Sequence, residues 1–337
     1  MFYRIIRPLL FRFDPEMAHH LSLASLQLSS HLGLLNPLRQ HVDKAGREIM
    51  GIRFPNPVGL AAGMDKNGDY VDGLAALGFG FIELGTVTPR PQAGNPKPRL
   101  FRIPQAEALI NRMGFNNEGV DYLVDRVQEM RFRGVLGVNI GKNLSTPVDH
   151  ALDDYVECLR KVYPHAAYVT VNISSPNTPG LRNLQHGASL DRLLDGLGSE
   201  RETLAASHGG YIPLAVKIAP DLELSELREL AGSLRKHRID AVIATNTTSS
   251  RPGVDGLPHA EEAGGLSGRP LLDKSTETVA RLADLLGGEL PIIACGGIHS
   301  GEDARRKIEA GACLVQIYSG LIYRGPGLVR EIVEALG

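Results

Sequence analysis

Residues 213–247 read PLAVKIAPDLELSELRELAGSLRKHRIDAVIATNT. This stretch opens with the apolar run Pro213–Ile218 and closes with a second one, Ala241–Thr245. Between the two runs, leucines recur at helical spacing over Ser225–Lys236. Two apolar strands joined by a helix are typical of a parallel strand pair with a crossover connection. The stretch therefore predicts an α/β fold with a buried parallel sheet.

The same alternation of strand and helix recurs from about residue 56 onward. Six further strands are predicted at Val58–Ala62, Phe79–Val87, Val135–Ile140, Tyr168–Ser174, Pro291–Cys295 and Leu314–Ser319. Eight strand–helix units in about 280 residues fit a (β/α)8 TIM barrel. A doubly wound open sheet is the alternative, but it usually has a Gly-rich first turn, and no GxGxxG motif follows the first strand.

Composition excludes several functional classes. A chain of 337 residues with 43% apolar residues is neither disordered nor a small disulfide scaffold. A net charge of -2 gives no reason to expect a nucleic-acid partner. Cys158, Cys295 and Cys313 lie far apart and form no CxxC pair, which favours a reducing compartment. No HExxH, GxSxG or Walker motif and no acidic cluster typical of a metal site is present, so metal hydrolysis and phosphoryl transfer are disfavoured.

The N-terminal segment MFYRIIRPLLFRF carries three arginines and no acid. At helical spacing, Arg4 and Arg7 fall opposite an apolar face that consists of Phe2, Ile5, Ile6, Leu9, Leu10 and Phe13. Such a segment is typical of a helix that lies on a membrane surface. A helix packed on its own domain and a mitochondrial presequence are alternatives, whereas a secretory signal is not indicated.

A second helix is expected to begin at Asp14 and Pro15, which suit the cap and the first helical position. Leucines such as Leu21 and Leu23 then give it two apolar sides, so it needs two partners. We therefore expect residues 1–45 to form a helical hairpin and residues 46–337 to form the barrel. Three long connections, 88–117, 176–188 and 248–270, follow strands and are expected to lie at the mouth of the barrel as lids and ligand contacts.

Polar residues stand where the apolar strands stop, and in a barrel these positions converge. Glycines after the last two strands, such as Gly297, suit a phosphate group. Asn139, Asn172 and Asn246 lie in or just after apolar strands, where amides match a ring with alternating C=O and N–H groups. Lys217 lies within an apolar run, where its charge needs a partner, whereas Lys142 is expected to be solvated.

At these positions the chain resembles dihydroorotate dehydrogenase, in its membrane-associated, quinone-dependent class. Five separated segments carry the resemblance in the family's order: GMDKN at 63–67, NRMGFNN at 111–117, NISSPNTPG at 172–180, TNT at 245–247 and GGLSG at 264–268. It covers nearly the whole chain. The resemblance implies the oxidation of dihydroorotate to orotate in pyrimidine biosynthesis, with hydride transfer to FMN and then electron transfer to a membrane quinone.

The resemblance also implies the ligands of each group. The FMN ligands would be Ala62, Gly63, Lys66, Thr86, Asn139, Asn172, Lys217, Thr245, Gly268, Gly297, Tyr318 and Ser319. The substrate ligands would be Lys66, Asn111, Arg112, Met113, Gly114, Phe115, Asn172, Asn177, Asn246 and Thr247. Catalysis would rest on Ser175 as the base, Thr178 as a proton relay, Lys66 and Lys217. The soluble class of the family carries Cys where this chain has Ser175.

The quinone would enter through the N-terminal hairpin. The resemblance implies that His19, Arg102 and Tyr318 line the inner end of its path. On the residues alone, a surface histidine with satisfied hydrogen bonds is the preferred explanation of His19. We expect a peripheral enzyme on the cytoplasmic face of a bacterial membrane, attached to anionic lipid by residues 1–35, with no nucleic acid and no obligatory protein partner. Another FMN-dependent TIM-barrel oxidoreductase and a catalytically silent binding protein are the alternatives.

Overall fold

The structure is a computed structural model that describes residues 2–33 and 45–337, without the side chains of Phe2 and Arg4. Its strands, in chain order, are β1 (Arg47–Ile49), β2 (Ile52–Phe54), β3 (Val58–Leu60), β4 (Phe81–Val87), β5 (Leu100–Ile103), β6 (Ala108–Asn111), β7 (Val135–Ile140), β8 (Tyr168–Asn172), β9 (Leu214–Ile218), β10 (Ala241–Ala244), β11 (Gly265–Gly268), β12 (Ile292–Cys295) and β13 (Leu314–Ile317).

The α-helices of the same residues are α1 (Phe2–Leu10), α2 (Pro15–His31), α3 (Val71–Ala75), α4 (Val120–Glu129), α5 (Ala151–Val162), α6 (Gly187–His208), α7 (Leu224–Lys236), α8 (Leu272–Leu286), α9 (Gly301–Glu309), α10 (Ser319–Arg324) and α11 (Gly327–Leu336).

Eight parallel strands close into a barrel in the order β3-β4-β7-β8-β9-β10-β12-β13. Closure is made by β13 and β3, where Val315 pairs with Val58 and Ile317 with Leu60. The prediction of a (β/α)8 barrel with two N-terminal helices is confirmed, and each predicted strand agrees with the structure to within two residues at either end. Since the first and last strands pair, the open-sheet alternative is wrong.

The barrel interior is filled by large side chains that face glycines on neighbouring strands. Gly59 pairs with Phe81, and Gly137 pairs with Tyr168. The rings of Phe81 and Tyr168 lie 6.4 Å apart, and Phe54 from β2 packs 5.1 Å from Phe81. The β1–β2 hairpin thus closes the amino end of the barrel, which leaves only the carboxyl end open.

The two longest connections form a small antiparallel sheet that was not predicted. Strands β5 and β6 arise within 88–117, and β11 arises within 248–270. Leu266 of β11 pairs with Ile110 of β6. Each strand has only four residues, between Pro- and Gly-rich flanks, so neither its length nor its surroundings marked it.

Helix α1 is attached to the end of the chain by its polar side. The Tyr3 hydroxyl donates to the Ile322 carbonyl at 2.6 Å, and Arg7 Nη1 donates to the Tyr323 carbonyl at 2.8 Å. Ile5 and Leu9 on the other side are exposed. The amphipathic pattern is therefore present: Ile5 and Leu9 of its apolar face lie away from the barrel, while Ile6 and Leu10 are partly buried.

Helix α2 begins as predicted, because the Asp14 carboxylate accepts the backbone N–H groups of Glu16 and Met17. It packs on the barrel through Leu23 and exposes Met17 on its other side, so the two-sided pattern is confirmed. The boundary predicted between residues 45 and 46 follows residues 34–44, which lie outside the described part, and this division stays a prediction. No helix in the described ranges is long and apolar enough to span a membrane.

A buried ion pair joins α2 to the residue that precedes β5. Arg99 Nη2 lies 2.7 Å from Glu16 Oε1, and Arg99 Nε donates to Glu16 Oε2 at 3.2 Å. The same guanidinium donates to the carbonyls of Ala93 and Asn95 in the first long connection. Burial opposes ionisation of Glu16, but Arg99 holds its pKa below the usual value. This one carboxylate–guanidinium pair thereby holds α2 against the first long connection.

A pair of glycine-to-alanine variants tests the barrel packing. A Cβ on Gly137 would lie 2.2 Å from the buried Tyr168 ring, so Gly137→Ala should lower the free energy of unfolding by about 1–3 kcal/mol. The control is Gly198→Ala within α6, where the new Cβ meets no atom within 4 Å. It should raise stability by about 0.5–1 kcal/mol. Urea denaturation measures both changes, and a neutral Gly137→Ala would contradict this description of the interior.

Candidate active site

An open cavity lies at the carboxyl ends of the barrel strands. Of the residues predicted to bind a cofactor, its wall includes Ala62, Gly63, Lys66, Thr86, Asn172, Lys217, Thr245, Gly268, Gly297, Tyr318 and Ser319. Of the predicted substrate and catalytic residues, it includes Asn111, Met113, Gly114, Phe115, Ser175, Asn177, Asn246 and Thr247. The five segments singled out in the sequence therefore meet in one place.

Five predicted site residues are not among those that line the cavity: Asn139, Arg112, Thr178, His19 and Arg102. Asn139 lies directly behind the wall, where its carbonyl oxygen accepts hydrogen bonds from the lining residues Thr86 and Asn172. The Arg112 side chain points away from the cavity and pairs with Glu262 at 2.7 Å. Thr178 is buried in the same loop as Ser175. The roles assigned to these residues stay predictions.

A buried carboxylate beneath the cavity orients these amides. Glu83 is fully buried and accepts hydrogen bonds from Asn139 Nδ2 at 2.8 Å, the Tyr168 hydroxyl at 3.0 Å and Gln316 Nε2 at 2.7 Å. Because the amide nitrogen of Asn139 faces Glu83, its oxygen must face Thr86 and the cavity wall. Sequence reasoning missed Glu83 and Gln316, although each is a polar residue within an apolar strand, the signal that did identify Lys217.

The turn after β3 presents a lysine to the cavity. The buried Asp65 carboxylate accepts the N–H groups of Gly68, Asp69 and Tyr70 and so fixes the turn. Lys66 donates from Nζ to the Gly63 carbonyl at 2.9 Å. Burial lowers the pKa of Lys66 to about 8. The ammonium group is thus charged at neutral pH but poorly solvated, which favours an anionic ligand.

Amide and hydroxyl groups converge on the opposite wall. Asn177 Nδ2 donates to Asn111 Oδ1 at 3.1 Å, and Asn246 Nδ2 donates to Ser174 Oγ at 3.0 Å. The Ser175 side chain is almost completely buried, and its Oγ accepts the N–H of Asn177 at 3.2 Å. This wall carries both donors and acceptors, which a ring edge with C=O and N–H groups requires.

Glycine backbone forms another part of the wall, at Gly268, Gly296 and Gly297, whose φ angles are 99°, 115° and 80°. A Cβ on Gly297 would lie 2.2 Å from the Leu272 Cα, so only glycine fits there. Among the described residues, Thr247 Oγ1 and Gln316 Oε1 are buried without a hydrogen-bond partner, and both residues line the cavity. A bare backbone cradle and unpartnered polar atoms fit a polar, phosphate-bearing group.

Lys142 is not solvated, and that prediction is wrong. Its side chain is buried, and Nζ donates to the carbonyls of Asn143 at 3.1 Å and Thr146 at 2.8 Å. The following turn folds back over the ammonium group because Asp154 accepts the Asn143 N–H at 2.7 Å. Lys217, by contrast, forms no hydrogen bond with another described residue and lines the cavity.

The residues predicted to meet a quinone lie between the helical pair and the cavity. His19 is half-buried against Met64 and Lys66, and burial lowers its pKa to about 3. Arg102 donates to the Leu10 carbonyl at 3.3 Å, and its guanidinium lies 4.7 Å from the centre of the Phe11 ring. The Tyr318 hydroxyl donates to the Gly63 carbonyl, which also accepts from Lys66.

Known proteins resemble this chain along nearly its whole length. The profile of the family described as dihydroorotate dehydrogenase matches residues 45–337. A protein of Methylococcus capsulatus named dihydroorotate dehydrogenase (quinone) is 65% identical over 332 residues, covering 98% of both chains. One with the same name from Azotobacter vinelandii is 60% identical over 334 residues, covering 99% of this chain and 96% of its own.

Solved structures agree with this comparison. The ligand-free DHODH of Eimeria tenella superimposes with a TM-score of 0.86 and is 40% identical, covering 96% of this chain and 94% of its own. The complex of the Eimeria tenella DHODH with ferulenol gives a TM-score of 0.85 at 38% identity, covering 96% of this chain and 90% of its own.

Proposed function

This chain belongs to the dihydroorotate dehydrogenase family, in its quinone-dependent class, and from that premise we propose how its own residues perform the reaction. The chain oxidises dihydroorotate to orotate in pyrimidine biosynthesis, with a quinone as electron acceptor. We assign the reaction to this cavity because five segments that are separated in the sequence meet there. We prefer this function to the two alternatives, another FMN-dependent TIM-barrel oxidoreductase and a catalytically silent binding protein.

FMN, one per chain, would be held at this cavity and would supply the acceptor for the hydride from C6 of the substrate. Its phosphate suits the backbone at Gly268, Gly297 and Ser319. The unpartnered ammonium of Lys217 suits negative charge on the flavin ring. The remaining proposed FMN residues are Ala62, Gly63, Lys66, Thr86, Asn139, Asn172, Thr245 and Tyr318.

Dihydroorotate presents a carboxylate and a ring edge with alternating C=O and N–H groups. Lys66 binds the carboxylate, because its ammonium is charged, buried and at the cavity wall. Asn111, Asn177 and Asn246 bind the ring edge through their amides. Further contacts come from Arg112, Met113, Gly114, Phe115, Asn172 and Thr247.

Ser175 removes the proton from C5 of the substrate. A serine hydroxyl is a weak base, so its own proton must pass outward as Oγ takes the proton from C5. The N–H of Asn177 donates to Oγ at 3.2 Å and stabilises the negative charge that Oγ gains as its own proton leaves. Thr178 relays the proton outward. Within the described ranges no hydrogen bond joins the two hydroxyls, so the relay needs a bridging water.

The exposed apolar side chains of α1, α2 and the residues beside them form a surface that docks on the membrane. This docking surface consists of Ile5, Leu9, Phe13, Met17, Leu21, Leu28 and Leu32, seven of the eleven large apolar side chains that are exposed in the described part of the chain. Residues 1–45 are the docking unit and residues 46–337 the catalytic unit. The attachment is peripheral, at the cytoplasmic face and to anionic lipid. The quinone reaches the flavin past His19, Arg102 and Tyr318.

Removal of the base tests the chemical assignment. Without oxygen, dihydroorotate should bleach the flavin absorbance of the yellow wild-type protein. The Ser175→Ala variant should still bind the flavin, but dihydroorotate should reduce that flavin at least about 100-fold more slowly at neutral pH. Stopped-flow absorbance measures the rate per bound flavin. An unchanged rate in Ser175→Ala would refute Ser175 as the base.

The pKa of Lys66 sets the pH dependence of product binding. Burial places this pKa at about 8 in the free site, and a bound carboxylate must raise it. The dissociation constant of orotate should therefore be flat below pH 8 and rise about tenfold per pH unit above it. Titration of the flavin spectrum with orotate measures this. Lys66→Arg, which stays charged, should remove the rise; a flat wild-type profile to pH 10 would contradict the role of Lys66.

The docking surface is tested by polar substitutions that leave the barrel intact. Ile5→Ser with Leu9→Ser should reduce binding to vesicles of anionic lipid about tenfold or more, because about 1–2 kcal/mol of apolar burial is lost per side chain. Vesicle co-sedimentation measures the binding, with flavin reduction as the check on folding. The matched control is Leu144→Ser with Leu224→Ser, two exposed leucines elsewhere. Equal vesicle binding by the two double variants would show that membrane attachment lies elsewhere.

A further inference from the structure

Arg182 and Asp221 form an ion pair outside the cavity, and neither is among its lining residues. Arg182 follows the loop that carries Ser175, in the short turn Leu181–Gln185, and Asp221 follows β9. We infer that this pair is a positioning unit that sets the place of Ser175 relative to the substrate-binding wall. The inference rests on the proposed assignment of Ser175 as the base.

The Arg182 guanidinium donates to three different strand ends. Nε donates to the Ser174 carbonyl after β8 at 3.2 Å, and Nη2 donates to the Thr247 carbonyl after β10 at 3.0 Å. Nη1 donates to Asp221 Oδ2 after β9 at 3.0 Å. A guanidinium group is planar and rigid, so these three acceptors are held at fixed mutual distances.

Asp221 keeps the guanidinium in place through several donors. Lys274 Nζ lies 2.7 Å from Oδ1, the Ser249 N–H donates to Oδ2 at 3.0 Å, and the Thr248 hydroxyl donates to Oδ1. Burial opposes ionisation, but the hydrogen bonds from Lys274 and Thr248 hold the pKa of Asp221 at about 2. The carboxylate is therefore charged throughout the neutral range, and it ties Arg182 to the start of the 248–270 connection.

The hydrogen bond from Arg182 to the Ser174 carbonyl acts on the proposed base, Ser175, through the backbone. The Ser174 carbonyl belongs to the peptide bond that leads into Ser175, so Arg182 fixes the direction from which the Ser175 Oγ enters the cavity. Thr247 and the neighbouring Asn246 belong to the wall that binds the ring. A displacement of about 1 Å between base and substrate can cost about 100-fold in rate. Arg182 thus acts through Ser175 and not on the substrate itself.

A double-mutant cycle separates positioning from general damage. Arg182→Ala should lower the limiting rate of flavin reduction about 100-fold per bound flavin. Reoxidation of the reduced flavin by quinone, which does not use Ser175, should change by less than about twofold. In a Ser175→Ala background, Arg182→Ala should add less than about twofold, because no base remains to be aligned. Arg182→Lys stays charged but lacks the planar guanidinium group, so its flavin should be reduced as slowly as that of Arg182→Ala. This variant replaces Arg182→Ala in the experiment if the alanine variant does not fold.

The control breaks a similar ion pair at the other end of the barrel. Arg201 Nη1 lies 2.7 Å from Asp240 Oδ2, and Asp240 also accepts the N–H of Leu214 at the start of β9. Asp240→Asn should lower the thermal midpoint but leave both half-reactions unchanged per bound flavin.

Three results would overturn the inference. Arg182→Ala with a normal reduction rate, beside a slow Ser175→Ala, would show that the base stands and that Arg182 does not position it. If the double variant reduces its flavin more slowly by the product of the two single losses in rate, Arg182 acts independently of Ser175. A normal rate in Ser175→Ala would remove the base assignment and the inference together.

Discussion

The parallel pairing of β13 with β3 is the constraint on which the site depends. It joins residues more than 250 positions apart, as when Val315 meets Val58. Because the sheet closes, all eight strands end at one rim, and side chains from every part of the chain face one cavity. Register matters as much as closure, since a slip of one residue would turn each side chain to the other face of the sheet. The approach of Tyr318 to Gly63 is a direct product of this register.

A barrel interior is apolar by default, yet this one carries a carboxylate beneath its cavity. Glu83 is tolerated because three donors satisfy it, and one of them, Asn139, transmits its orientation to Thr86 and Asn172. The pattern recurs at Asp65, which is buried, and at Asp221, which is partly buried; each carboxyl group accepts several N–H or hydroxyl groups and thereby fixes a turn. Geometry at the cavity wall is therefore set by hydrogen-bonded carboxyl groups that lie behind it.

The barrel could be predicted from the sequence because buried parallel strands are continuous apolar runs, as at Val135–Ile140. Strand ends then identified Lys66, Asn172 and Lys217, since a polar residue at such a position faces the mouth. The pairing of β11 with β6 could not be predicted, because the two segments lie more than 150 residues apart, and β5 and β6 are strands of only four residues each. The burial of Lys142 and the three contacts of Arg182 depend on how turns fold back, which local sequence does not specify.

The attachment of α1 to residues 322 and 323 has a consequence for biosynthesis. Tyr3 leaves the ribosome 319 residues before its partner Ile322, an interval of roughly 15–65 s at typical rates of translation. Throughout that interval the helix has no barrel on which to pack, and both of its faces are open to chaperones or lipid. This helix is thus synthesised before the barrel and anchored to it only after the strand that closes the barrel has been made.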